Sequence, residues 1–390
     1  MFGRQGESLA LARLGTEVNY DSKNLLLAAL YMRRHGAPHL RSLSIGEIES
    51  RLKKFIIDHY FLLTDEAFMQ SFECSYAEHL SDDTRNRLAE ATAGSALFVE
   101  PQQVTIFPLI PVEVEVSFDS LSFFMCSLAD LPDQLARYQV RADLVPDTFP
   151  PVRDWDGTRH QPTSWLGVDA PTLEAAKQMR AAVLGAVALL PHRFERYQFS
   201  GRAMFGGYTT FDGAYTMSFG DAHTPALMTN IAIDAEDQTW LVELAKKLVS
   251  PVKEHRRQMR ALEYFYRAWA PDPVKRFPTL FAALDAIFGD ASQATQAVVA
   301  AIGPVMGADY TSDRVRLMLG LRASVIHGGA PNVYESSKYE QYYRTYETDP
   351  VRDLELIVAR CLQQVVFPAV MRERPHTHAE LILRETGRVV

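Results

Sequence analysis

SDRVRLMLGLRASVIHGG, residues 312–329, is the stretch on which the reading of this chain turns. Placed on a helical wheel, Arg322 lies with Val315, Met318 and Ile326, while Leu317, Leu321 and Val325 cover the other side. A helix apolar nearly all round is expected to be buried on more than one face. Gly328 and Gly329 supply the residue that ends a helix, so His327 belongs to the last turn. There the helix dipole favours an imidazolium, a group able to hold or release a proton near neutral pH. Arg322 and His327 are five residues apart, about 140° round the helix at 3.6 residues per turn. The arginine is long enough to bring its guanidinium back toward the imidazole.

On either side the pattern stays helical. From about residue 252 onward, KEHRRQMRALEYFYRAW, KRFPTLFAALDAIFG, SQATQAVVAAIGPVMG, the opening stretch itself and DPVRDLELIVARCLQQVVF are five amphipathic segments. Helices of this length with short breaks predict an up-and-down bundle. Upstream the chain is mixed. Helical spacing marks 22–35, 45–61 and 82–94, and VTIFPLIPVEVEVSF (104–118) switches to period two, as a strand does. Residues 144–165, with Pro146, Pro150, Pro151 and Pro162, read as an irregular connection. A helix is expected over 171–190, short strands between 198 and 233, and helix again from Val242 to about Met259. The expected fold class is therefore an α+β N-terminal region, 1–250, followed by an all-α C-terminal bundle, 251–390.

Composition narrows the function classes. With 47% hydrophobic and 23% charged residues, the 390-residue chain is ordinary for a globular protein. The longest apolar run, AAVLGAVALL at 181–190, is too short to cross a bilayer, and the first residues lack a signal-peptide core. The expectation is a cytoplasmic protein with no membrane partner. Cys74, Cys126 and Cys361 lie far apart, without CxxC or CxxH spacing, which argues against a zinc site or a disulfide framework. His35/His39 and His376/His378 have metal-compatible spacing but no cysteine nearby, and read as surface histidines. No metal or cofactor is expected: FGGYTTFDG (205–213) lacks GxGxxG and a P-loop lysine. The net charge is −8, yet residues 251–390 hold 18 Lys and Arg against 16 Asp and Glu, which is compatible with local RNA contact.

By spacing alone R-x4-H is common, and its plain meaning is a histidine capping its own helix and an arginine paired with a bundle carboxylate. The company of the motif adds to this. RFPTLFAALDAIFGD (276–290), a further helix, and then the helix ending LRASVIHGG together resemble the Apea-like branch of the HEPN domains. The resemblance covers roughly 252–372. It implies a HEPN-type helical bundle, a homodimer through the R-x4-H helix, and a metal-independent endoribonuclease of the toxin or antiphage-defence kind. On that reading His327 exchanges a proton with the ribose 2′-hydroxyl or the leaving 5′-oxygen. Arg322 grips the scissile phosphate, Asp285 takes a supporting place, and RNA is the partner. Two residues differ from the pattern of active members: Ala323 stands where a polar residue often follows the arginine, and Asp285 stands for a glutamate. They favour the other reading, a catalytically inactive HEPN module for dimerisation or RNA binding. Gly329 occupies the position of a tyrosine modified in some family toxins, which disfavours that mode of control. Just after the motif, YESSKYEQYYRTY (334–346) sets five tyrosines beside Lys338 and Arg344. Lys338, Tyr339 and Arg344 are candidate RNA contacts, since aromatics interleaved with cations can stack on unpaired bases; tyrosines packed along a partly exposed helix are the alternative. The basic run KEHRRQMR (253–260) could track phosphates, though such runs are more often solvated.

Overall fold

In a computed structural model of the chain, residues 6–10, 17–41, 43–62, 80–101, 103–140, 162–212, 215–269, 272–289, 293–371 and 373–375 are described. Packing divides the chain into two units, 1–103 and 104–390. In the first, strands β1 (Gly6–Ala10) and β2 (Glu17–Asp21) pair antiparallel, and helices α1 (Ser22–His35), α2 (Ile45–His59) and α3 (Asp82–Ala93) follow. Local chemistry sets these boundaries: Asp21 caps α1, and Ser44 with Glu47 forms a reciprocal capping box at α2. A small core of Ala29, Leu40, Leu43 and Ile48 joins α1 to α2.

The second unit starts with a sheet. Strands β3 (Val104–Leu109), β5 (Phe118–Asp119), β6 (Phe123–Ser127), β7 (Ser164–Asp169), β8 (Gly206–Phe211) and β9 (Tyr215–Gly220) form an antiparallel sheet in the order β5-β6-β7-β3-β8-β9. β4 (Val112–Val114) leaves it to pair in parallel with β10 (Ile231–Ile233). The strand expected over 104–118 is thus three strands, broken at 110–111 and again at 115–117. The irregular stretch expected over 144–165 is corrected at its end: Ser164 and Trp165 already belong to β7, an inner strand between β6 and β3. Residues 141–161 lie outside the described residues. A short helix, α4 (Leu131–Ala136), follows β6, and α5 (Leu173–Val187) follows β7.

The helical part comprises α6 (Gln238–Leu248), α7 (Lys253–Arg267), α8 (Pro273–Phe288), α9 (Ala294–Met306), α10 (Ser312–Ile326), α11 (Ser337–Tyr346) and α12 (Pro350–Val366). The helix expected over 242–259 is two helices, parted at Ser250–Pro251, because proline cannot continue a helix. The five expected bundle helices are present, and the tyrosine-rich stretch adds α11.

The division expected at 250/251 does not coincide with a gap in packing. One core runs from Phe107, Leu166 and Val183 in the α+β part to Leu262, Leu284 and Leu354 in the helices. One close seam in it is α5 on α7. A β-carbon at Gly185 would sit 2.1 Å from the Leu262 carbonyl oxygen, so only glycine lets these backbones approach. A polar tie joins the same layers. The Arg180 guanidinium donates to Nδ1 of buried His223 at 2.9 Å, the His223 Nε2–H donates to the Gly207 carbonyl, and the Tyr266 hydroxyl donates to the His223 carbonyl at 2.8 Å. Burial, reinforced by Arg180, pushes the His223 imidazole down to about 3, so it is neutral. Deeper still, Arg196 pairs with Glu355 of α12, both nearly inaccessible, and burial lifts the Glu355 carboxyl above the usual carboxylate range.

Candidate functional site

Helix α10 begins at Thr311, whose hydroxyl accepts the Arg314 N–H, and ends at His327. Only a stripe of it is buried: Val315, Met318 and Leu321 reach 1%, 1% and 0% exposure, whereas Ile326 is 53% exposed. The burial expected on more than one face is therefore corrected. α9 and α11 contact α10 and α8 meets it more lightly, and among the described residues Ile326 and His327 stay exposed at its end.

Arg322 points toward α8. Its Nη1 lies 2.9 Å from Asp285 Oδ2, and its guanidinium sits over the Phe281 ring at 5.3 Å. Phe281 and Asp285 are one helical turn apart, so ring and carboxylate form a single shelf beneath the guanidinium. About a quarter to a third of each charged side chain remains exposed, so this partly solvated pair contributes on the order of 1 kcal/mol or less. Its larger consequence is orientation: the shelf holds a planar five-donor group with N–H edges still available.

His327 is exposed and ends the helix, its N–H donating to the Ala323 carbonyl at 3.0 Å. Its imidazole has no hydrogen bond or ion pair among the described residues. Gly328 takes φ +74°, the left-handed conformation that turns the chain away after the imidazole. The chain then returns: the Ala330 N–H reaches the Ser324 carbonyl at 3.0 Å, and the Ser324 and Ser336 hydroxyls meet at 2.8 Å. Ser336 also caps α11, so one serine pair fixes α11 against the motif helix. Arg322 and His327 form no contact with each other. The guanidinium expected to fold back toward the imidazole is held on Asp285 instead, 140° round the helix.

The three candidate RNA contacts separate. Lys338 lies along α10, its Nζ 2.8 Å from where a β-carbon on Gly320 would be. Arg344 pairs with Glu340 one turn back on α11. Tyr339 packs edge-on against Tyr334 at 5.2 Å, and the two line a shallow groove with Tyr343, Glu335 and Glu340. Burial, then the nearby Asp349 carboxylate, raises both the Tyr334 and Tyr339 hydroxyls above the ordinary phenol range. Tyr342 is fully buried; with Tyr310 it donates to Asp353, which also receives Arg314 Nη2 at 2.5 Å. This knot under α10 was not anticipated, although Asp353 in an otherwise apolar helical stripe is a visible signal for it.

Of the first histidine pair, His35 is exposed as expected, but His39 is not at the surface. His39 is buried, with Nε2 3.2 Å from the Ala96 carbonyl, and His35 stacks near Tyr31 at 4.7 Å. His376 and His378 lie outside the described residues, as does Cys74. Cys126 and Cys361 are free and buried, and burial pushes both thiols up to about 12. Among the described residues no helix is long and apolar enough to cross a membrane. Comparison of the chain with protein-family models, with curated proteins and with solved structures finds no match.

Proposed function

We propose that the protein is an endoribonuclease of the HEPN type, acting on RNA without a metal and using Arg322 and His327 in a site completed by a second copy of the chain. The observation that carries this reading is His327 itself: a solvent-facing imidazole with no hydrogen bond or ion pair among the described residues, at a helix end shaped by Gly328, close in the chain to an arginine already oriented by a carboxylate. Within one chain the two groups point apart, and an apolar Ile326 is left uncovered beside them. A two-fold pairing of α10 would cover Ile326 and bring the arginine of one copy toward the histidine of the other. His327 would then take the 2′-hydroxyl proton or supply one to the 5′-oxygen, while Arg322 stabilises charge growing on the phosphate.

The inactive-module reading retains one specific support. Arg322 is occupied by Asp285 and Ala323 offers no polar group, an arrangement that also suits a silent scaffold. The deciding experiment incubates the purified protein with single-stranded and loop RNA in excess chelator and analyses the ends. Products with 2′,3′-cyclic phosphate are expected. Cleavage lost in chelator and restored by magnesium or zinc would overturn the proposed chemistry.

A further inference from the structure

A cleft on the second unit, away from the motif residues in sequence, carries two opposite charges that do not meet. Its walls are Val305 of α9, Arg360, Gln363 and Gln364 of α12, and Ala369, Met371 and Glu373 of the segment that follows; its volume is about 350 Å³. Arg360 is partly buried, and its guanidinium forms no hydrogen bond or ion pair among the described residues. Glu373 is also partly buried. Its Oε1 accepts the Arg193 backbone N–H, which fixes the side chain and leaves Oε2 without a partner among the described residues.

Two such groups lining one cleft would ordinarily close on each other, since an ion pair offsets part of the cost of leaving water. Here they stay beyond ion-pair distance. Their separation is built into the backbone: Arg360 is set by α12, and Glu373 is set across the cleft by its bond to Arg193. Between them, Ala369 adopts φ +63°, a left-handed conformation unfavourable for a residue with a β-carbon. Strain of this kind persists only where surrounding structure imposes it, and it often lines ligand sites. The turn at Ala369 brings Met371, 5% exposed, and Glu373 round to face α12. Gln363, whose amide donates to the Leu189 carbonyl at 3.2 Å, lines the same wall. Val305, Ala369 and Met371 supply apolar surface.

We propose that this cleft binds a small zwitterion, an α-amino acid with an aliphatic side chain. The carboxylate would take the Arg360 guanidinium in a two-pronged contact, and the ammonium would donate to Glu373 Oε2 and to the Gln363 amide oxygen. The side chain would rest on Val305 and Met371. A simple anion fits less well, because Glu373 repels it, and a simple cation is repelled by Arg360. The site is independent of the nuclease reading and stands or falls separately.

The test is calorimetric titration of the full chain with L-leucine, L-leucinamide and N-acetyl-L-leucine, repeated on Arg360→Gln and Glu373→Gln. Glutamine at 373 retains the oxygen that caps Arg193, and unliganded melting temperatures establish that both variants fold. L-Leucine is expected to bind wild type, and each blocked analogue to bind at least about tenfold more weakly, since each loses a charged hydrogen bond. Either variant should weaken L-leucine by a similar factor. Glu373→Gln should narrow the gap between L-leucine and N-acetyl-L-leucine, and Arg360→Gln the gap between L-leucine and L-leucinamide. No binding of L-leucine at millimolar concentration, or binding that neither variant changes, would overturn the proposal.

Discussion

At the scale of single residues, orientation matters more here than net stability. Arg322→Ala and Asp285→Asn each remove a partly solvated ion pair, and Arg322→Ala also uncovers Phe281. Each is expected to lower unfolding stability by about 1 kcal/mol or less in a urea titration. Asp285→Asn should nevertheless reduce cleavage well beyond what its small stability loss explains, because the carboxylate sets the guanidinium's direction. Activity equal to wild type in Asp285→Asn would show that the pair is incidental. His223 behaves in the opposite way, mattering to stability alone. Its folded value of about 3 lies below the ordinary 6.5, so below pH 6.5 the unfolded chain takes up a proton that the folded chain refuses. Stability is therefore full above pH 6.5 and is lost as pH falls toward 3. His223→Gln should flatten that part of the stability–pH curve, and a curve as steep as that of wild type would locate the effect elsewhere. In the sequence, Arg322, His327 and the glycine stop were legible from their spacing. An arginine paired with a bundle carboxylate was the plain reading of the spacing, and only the resemblance pointed to Asp285. Spacing along one helix cannot say which neighbouring helix a long side chain reaches, and the choice of Asp285 over His327 is a tertiary outcome.

At the scale of elements, the end of α10 is the most specific construction. Gly328 lets the chain turn at φ +74°, and a β-carbon there costs about 1 kcal/mol. Gly328→Ala is expected to lower the melting temperature by a few degrees. Because the serine contact at 324 and 336 lies just beyond, the variant should also disturb the set of His327 and reduce cleavage by more than the stability loss accounts for. Full activity with a lowered melting temperature would separate the turn from the site. Helix positions read well from hydrophobic period: α1, α2, α3, α5 and α7 to α10 lie where their apolar spacing puts them. Strands read less well. β7 was hidden because SWLGVD directly follows a proline-rich stretch, and its inner place in the sheet depends on partners distant in sequence, β3 and β6. The burial of α10 was overestimated because apolar residues all round a helix fit equally a buried helix and one with an uncovered face.

At the scale of the whole molecule, the α+β part and the helices from 104 onward are one folding body. The core shared through Gly185 and Leu262, and the buried Arg196–Glu355 pair, cross the place where the change to an all-helical pattern suggested a boundary. A fragment of residues 104–390 is therefore expected to unfold cooperatively, whereas 251–390 alone would leave α7 uncovered and Glu355 without Arg196, and should be molten or insoluble. A cooperatively folded 251–390 fragment, with sharp side-chain resonances, would contradict this. The sequence could not show it, since two amphipathic helices 80 residues apart carry no mark that they pack on each other. The central claim, that this body is an RNA-cleaving enzyme working through His327, is tested most directly by single-turnover cleavage of labelled RNA in excess chelator. Wild type and His327→Ala are compared, with RNA affinity and melting temperature measured on the same samples. The account predicts that wild type cleaves, and that His327→Ala keeps its fold and its RNA affinity but loses about 100-fold or more in rate, the scale of a proton-transfer group. Wild type that binds RNA without cleaving it, or a His327→Ala variant that cleaves as fast as wild type, would contradict it.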